Sequence, residues 1–257
     1  MSTPKSSALT ITSRENPQFK ELVRLIGLSR ERKERGLSVL EGEHLLEAFL
    51  QHGGRPERVF VPEGSPRAQA GEAIVLAAPL FKSVSQVEHG GGPIALIATP
   101  CVALPEAITN DCVILEDLQD PGNLGAILRT CAAAGVGQVF LSPTSVYAWS
   151  PKVLRAGMGA HFALSIVEGV PCAEVLARLQ GVQAHATVLS TRAESLYQAR
   201  LTQPTAWVFG NEGAGLSAAL QAAIPRHIKI PQENSVESMN VAAAVAVCLF
   251  EQRRQRF

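Results

Sequence analysis

The sequence carries no net charge that would draw it to a polyanion. Lysine plus arginine and aspartate plus glutamate balance at 23 each, so bulk electrostatics gives no support for nucleic-acid binding. Five cysteines (Cys101, Cys112, Cys131, Cys172, Cys248) are odd in number and widely spaced, with no C-x-x-C pair and no histidine at ligand spacing. That argues against a disulfide framework and against a zinc site, and no metal is expected. Three of them sit in the apolar runs DCVILED, RTCAAAG and AVCLFEQ, where cysteine behaves as a small buried hydrophobe. No stretch approaches the roughly 18 uninterrupted apolar residues of a membrane span, and MSTPKSSALTITSRENPQ has no apolar segment of a secretion signal. A soluble, cytoplasmic chain without a membrane partner is expected. Internal repeats and low-complexity tracts are also missing, which sets aside solenoids and arrays.

What is present is apolar residue in quantity: 46% of 257 residues, enough for one core or two. From Asn16 to about Ile26, Phe19, Leu22, Val23, Leu25 and Ile26 recur at a helical period, and SVLEGEHLLEAFLQHG repeats the pattern after a short strand. RVFVP, AIVLA and PIALIAT read as strands, so residues 1–100 form a small α/β unit. Residues 101–110, within the aperiodic two-proline stretch TPCVALPEAITND, read as a linker. From 111 to 257 the chain alternates apolar strands (CVILED, QVFLSP, FALSIVE, AHATVLST, AWVFG, HIKIP) with helical segments. Continuous hydrophobicity in VILE, VFL and WVFG points to strands buried on both faces, and hence to a doubly wound α/β domain with a parallel sheet. In such sheets ligands bind beyond the carboxyl ends of the strands.

Three loops at those ends carry chemistry-bearing residues. In DLQDPGNLGAILRTCAAAG, Asn123 stands at a helix start, where asparagine is either an N-cap or a site residue. Arg129 follows six residues on, within about two turns, a spacing read as letting both face one cleft. A lone arginine on so apolar a helix either snorkels or holds a phosphate or carboxylate. In WVFGNEGAGLSAAL, Gly210, Gly213 and Gly215 allow positive φ and close backbone approach. Gly213 to Ala218 also fits a G-x-G-x-x-A dinucleotide fingerprint, with Glu233 downstream for a ribose contact, although only one strand and one helix remain after it. In IKIPQENSVESMNVAAAVAVCLFEQ, Ser235, Glu237, Ser238 and Asn240 are either capping chemistry or site residues. The small-residue face Ala242, Ala243, Val245 and Ala246 lacks the bulk of a core and suits close packing, within the chain or across a dimer.

Taken in this order, N-L-G-A-I-L-R-T (Asn123–Thr130), F-G-N-E-G-A-G-L (Phe209–Leu216) and I-P-Q-E-N-S-V-E-S-M-N-V (Ile230–Val241) resemble the three motifs of the SpoU/TrmH branch of the SPOUT RNA methyltransferases. Met239 stands where leucine is usual, a volume-conserving exchange. S-R-E-N-P-Q-F-K followed by V-L-E-G resembles the small N-terminal RNA substrate-binding domain, similar to a ribosomal RNA-binding protein, that many members carry. The resemblance implies a deep trefoil knot, a rare exception to unthreaded chains. It implies S-adenosylmethionine as cofactor, gripped by backbone around Leu189, Ser190, Gly210, Asn211, Ile230 and Met239. Asn123, Arg129, Glu212, Ser238 and Asn240 match the family's polar active-site positions, Arg129 as a positioning group because a guanidinium is a poor proton acceptor. The implied activity is methylation of a ribose 2′-hydroxyl in ribosomal or transfer RNA, by a homodimer joined through the knotted region. A dinucleotide-dependent enzyme and an inactive RNA-binding protein of the same fold are the alternatives.

Charge is also unevenly spread. Between Arg14 and Arg35 seven basic residues face four glutamates. Arg14, Lys20, Arg30, Arg32 and Lys33 are the RNA-binding candidates, the bland alternative being a solvated helix face.

Overall fold

The computed structural model describes residues 9–69, 73–87, 92–233 and 238–257. Ser235 and Glu237 of the third loop therefore lie outside the described residues. The chain forms two compact units, Met1–Pro100 with Trp149–Arg155, and Cys101–Ala148 with Ala156–Phe257.

The first unit runs β1 (Thr10–Ile11), α1 (Pro17–Gly27), α2 (Ser29–Arg35), β2 (Leu37–Glu41), α3 (Glu43–Gln51), β3 (Arg58–Pro62), α4 (Pro66–Gln69), β4 (Ile74–Leu76), α5 (Ala78–Val84) and β5 (Ile94–Ala98). Its sheet, ordered β1-β4-β3-β5-β2, is parallel across β1, β4 and β3 and antiparallel where β5 meets β3 and β2. Asn16 starts α1 by accepting from the amides of Gln18 and Phe19, with Pro17 preset at the first helical position. Phe19, Leu22 and Leu25 share one face of that helix and enter a core with Val39, Phe60 and Leu96, whereas Val23 stays exposed. The two-residue β1 and the helix α5 are elements that the hydrophobic pattern does not announce.

The basic segment resolves unevenly. Arg32 is only 4% exposed, and its Nη1 donates to the carbonyls of Leu25 (2.6 Å) and Ile26 (3.0 Å), closing the end of α1. It is thus a structural cap, and the expectation that it meets RNA fails. All four glutamates of the segment are engaged: Glu15 by Lys20, Glu34 by Arg30, and Glu21 and Glu31 by Arg35. Arg14, Arg24 and Lys33 remain exposed.

The second unit contains β6 (Cys112–Leu115), α6 (Pro121–Ala134), β7 (Gln138–Leu141), β8 (Ser165–Val167), α8 (Cys172–Ala177), β9 (Gln183–Thr187), β10 (Glu194–Ser195), β11 (Thr205–Phe209), α9 (Ala218–Ala223), β12 (Arg226–Lys229) and α10 (Val241–Arg254), and most of α7 (Pro151–Gly157), between β7 and β8 in the chain, counts with the first unit. Its seven strands are all parallel, in the order β10-β12-β9-β11-β6-β7-β8. Every residue of β6 and β11 is buried, as the continuous hydrophobic runs require. The chain moves outward from β6 through β7 to β8, then returns to the other side, and β11 slots between β6 and β9. Loops leaving β6, β9, β11 and β12 consequently open at one end of the sheet, and the strand order reverses between β6 and β11, where α/β sheets bind ligands.

Residues 101–110 are not a free linker. Ile108 is fully buried, pairs with Leu179 and exchanges backbone hydrogen bonds with Arg178 and Gln180, so the stretch belongs to the second unit. The face expected on α10 is also different in part: Val245 is fully buried with Cys248 and Leu249, while Ala243 and Phe250 point outward. Cys112 and Cys131 are buried thiols pushed up to about 12 by burial, inert as expected of core cysteines. No described helix is long and apolar enough to cross a membrane.

Replacing Arg32 by alanine leaves the Leu25 and Ile26 carbonyls without their buried charged donor. Urea unfolding should show a loss of about 1–3 kcal/mol, against about 0.5 kcal/mol or less for the exposed pair partner Arg30→Ala. Equal midpoints for the two variants would contradict the assignment.

Candidate active site

Loop 116–120, after β6, ends on a helix start. Asp120, not Asn123, is the N-cap of α6: its carboxylate accepts from the Asn123 amide at 2.8 Å, with Pro121 at the first helical position. The D-P-G sequence is itself a start signal, which marks Asp120 rather than Asn123 as the cap. Asn123 is released from capping, and its side chain turns outward to the other loops.

The second loop is held shut by its own residues. Asn211 accepts from the amides of Gly213 and Ala214 through Oδ1 (both 2.9 Å) and donates through Nδ2 to the Asp117 carbonyl (2.8 Å). Its backbone pairs with Gly215, which has φ +69°. A Cβ on Gly210 would lie 2.2 Å from the Gly215 carbonyl carbon and 2.3 Å from the Leu216 nitrogen, so only glycine permits this fold-back. Gly213 needs neither positive φ nor an absent side chain, which corrects the equal weight given to the three glycines.

Glu212 ties the loops together. Its carboxylate accepts from the Gln119 amide (3.1 Å), the Asp120 amide (2.9 Å) and Asn123 Nδ2 (3.2 Å). Asn123 Oδ1 in turn accepts from Asn240 Nδ2 at 2.9 Å, and Asn240 caps α10 by accepting from the Ala242 and Ala243 amides. Burial on its own would raise the Glu212 carboxyl. The hydrogen bonds from the Asp120 amide, its own amide, the Asn123 side chain and the Gln119 amide outweigh it and hold the group below the ordinary glutamate value.

Beside this network lies a pocket of about 350 Å³ at the ends of β9, β11 and β12. Leu189, Ser190, Gly210, Asn211, Ile230 and Met239, the cofactor candidates, all line it, as do Glu212 and Ser238. Thr187, Phe209, Gln221, Ile228 and Ala244 also line it and were not anticipated, because strand-end and helix-face residues have no motif of their own. Asn123 and Asn240 stand behind the wall through Glu212. Arg129 does not join them. Six helical residues turn about 600°, which puts it about 120° around α6 from Asn123 and about 9 Å along the axis. It is exposed, outside the pocket wall, and makes no hydrogen bond or ion pair with another described residue. The shared cleft expected for Asn123 and Arg129 is therefore not formed within one chain.

Pocket chemistry separates the candidate ligands. Among the described residues its wall holds no lysine or arginine and one carboxylate, Glu212. The Gly213 and Ala214 amides that would cradle a pyrophosphate are already spent on Asn211. Among the described residues of the pocket wall a dinucleotide finds no cationic side chain for its pyrophosphate. A ligand of mostly apolar and neutral polar surface with a cationic centre fits, and the volume lies in the range of small-molecule sites.

Comparison with known proteins agrees. Residues 111–250 match the model of the SpoU rRNA Methylase family. This chain is a member of that family. All three loops of the site fall inside the matched span. An uncharacterized tRNA/rRNA methyltransferase of Synechocystis sp. is 37% identical across 98% of this chain and 96% of its own length. The Bacillus subtilis 23S rRNA (guanosine(2553)-2′-O)-methyltransferase RlmP is 29% identical, covering 95% of this chain and 98% of that one. Among solved structures, the AdoMet-bound rRNA methyltransferase from Sinorhizobium meliloti superposes with a TM-score of 0.86 at 25% identity, over 98% of this chain and 100% of the other. As in other SpoU members of known structure, the fold is a mixed α/β arrangement around a parallel sheet.

Replacing Glu212 by glutamine turns one of its two acceptor oxygens into an amide donor that faces either the Gln119 or the Asp120 amide. The variant should lose about 1–3 kcal/mol of stability at pH 7. In the parent, the Glu212 contribution is fully present above the ordinary glutamate value and fades as pH falls through the lowered one; in the variant this part of the pH dependence should vanish. Superimposable stability–pH curves for the two proteins would refute the role.

Proposed function

We propose that this chain transfers a methyl group from S-adenosylmethionine to a ribose 2′-hydroxyl of ribosomal RNA. The observation that carries the reading is the pocket walled by Glu212, with no lysine or arginine among its described lining residues, and braced through Asn123 and Asn240, in a chain of the SpoU family. Leu189, Ser190, Gly210, Asn211, Ile230 and Met239 would hold the cofactor, largely by backbone and apolar contact. When bound, it supplies an electrophilic methyl on a sulfonium, which asks for no metal. Glu212 fixes the β11 loop against the start of α6, and Asn240 holds Asn123 rather than Arg129. In this reading Ser238, which lines the pocket wall, orients the target ribose. Arg129, exposed and permanently charged, serves as a positioning residue that holds the phosphate next to the target and lowers the hydroxyl pKa electrostatically.

Because Arg129 stands away from the pocket of its own chain, the reading includes a homodimer, formed through the outward faces of α6 and α10, with the site near the interface. It also includes the family's trefoil knot in the C-terminal loops, supported by the insertion of β11 between β6 and β9. The first unit, with Arg14, Arg24 and Lys33 exposed, acts as the RNA substrate-binding domain, and the protein works in the cytoplasm, where ribosomal RNA is modified. Titration by calorimetry with S-adenosylhomocysteine and, separately, with a dinucleotide tests the reading. Binding of the first alone supports it; binding of neither favours an inert RNA-binding protein, and binding of the second overturns it.

Arg129→Ala should lower methyl transfer by on the order of 100-fold while S-adenosylhomocysteine affinity is unchanged. Arg129→Lys should restore little, since an ammonium lacks the planar fork. Loss of cofactor binding in proportion to activity would defeat this division of roles. Light scattering at micromolar concentration should give twice the mass of one chain, and a mass near one chain would remove the dimer.

A further inference from the structure

After β9 the chain runs from Val188 to Leu201 along the sheet edge, and it is firmly built. Ala193, Leu196, Ala199 and Leu201 are buried, β10 pairs with Ile228 and Lys229, and the Leu196 amide donates to the Lys229 carbonyl at 2.8 Å. A segment so anchored has no packing need to leave large side chains in water. Yet Tyr197 is 59% exposed and Leu189 67% exposed. Arg192 and Arg200 are exposed along the same stretch, and the Arg192 guanidinium bonds to no described residue. Glu194 is the one acid between Val188 and Leu201. Lys229, paired in register with Ser195, adds another cation. The segment also borders the candidate active site, because Leu189 and Ser190 line the pocket and Ile230 follows Lys229 directly.

An exposed aromatic ring flanked by cations that no described acid engages is what a single-stranded nucleic acid requires: a face on which an unstacked base can lie, and charges for the flanking phosphates. We propose that Val188–Leu201, together with Lys229, is an RNA-contact surface of the second unit. Tyr197 stacks an unpaired base near the target nucleotide, and Arg192 meets a neighbouring phosphate. The inference rests on the ribose methyltransferase reading. It assigns recognition to the catalytic unit itself, in contrast to the segment 14–35, where glutamates engage Lys20, Arg30 and Arg35. A second copy of the chain is the rival occupant, but a patch with Arg192, Arg200 and Lys229 and only Glu194 in return would repel its own image across a two-fold axis.

The test compares wild type, Tyr197→Ala, Tyr197→Phe and Arg192→Glu with an in vitro large-subunit rRNA transcript. Tyr197→Ala should raise the KM for RNA by about 5- to 140-fold, the range for losing one stacked base, with kcat and S-adenosylhomocysteine affinity unchanged. Tyr197→Phe keeps the ring and should stay close to wild type. Arg192→Glu should weaken binding and flatten the dependence of log affinity on log salt by about 0.7 or more. Unchanged KM in Tyr197→Ala with an active wild type overturns this surface alone, as does a change of oligomeric mass in any variant. A wild type that binds S-adenosylhomocysteine but methylates no rRNA overturns the functional reading, and this surface with it.

Discussion

The site depends on one carboxylate. Glu212 reaches across the point where the strand order reverses and accepts hydrogen bonds from two backbone amides of the loop after β6 and from the Asn123 side chain. Through Asn123 the connection passes to Asn240 and the start of α10. Three segments, the outer two joined by a contact between residues 117 apart in the chain, are thereby held in one arrangement, with no cation among the described residues that touch them in the pocket wall. A carboxylate can do this because two oxygens offer several lone pairs to converging N–H donors, and partial burial strengthens each bond.

Around that contact the sheet dictates everything else. Seven parallel strands send their loops to one end, so the pocket is made from strand ends and loop backbone rather than from a single motif. The β11 loop supplies a wall only because it folds back on itself, which needs glycine at 210 for closeness and at 215 for its positive φ. Asn211 then consumes the amides that might otherwise serve an anion.

Charge follows a similar logic. A chain with zero formal net charge relies for polyanion contact on local excess, and excess is lost wherever glutamates sit at pairing distance. Pairing has neutralised most of α1 and α2, and burial has converted Arg32 into a helix cap. Short anchored segments such as Val188–Leu201 retain their cations because few acids lie within reach.

Local pattern determined much of this protein by itself. Hydrophobic runs of four to five residues announced the parallel strands because a strand covered on both faces has no polar side to show, and the Asn16-Pro17 start of α1 is written in its capping chemistry. The order of the three loop motifs located the pocket, and all six cofactor candidates line it. Tertiary structure decided what sequence spacing could not. Asn123 and Asp120 competed for one capping role, and only the fold shows that Asp120 takes it and frees Asn123 for Glu212. Asn123 and Arg129 lie near in sequence yet on different sides of α6, since 3.6 residues per turn carries a six-residue offset about 120° around. Arg32 looked like a surface residue and Val245 suited packing either within the chain or across a dimer, but whether a side chain is buried depends on what another element brings against it. Two-residue strands such as β10 have no period to detect; their pairing exists only because β12 lies beside them.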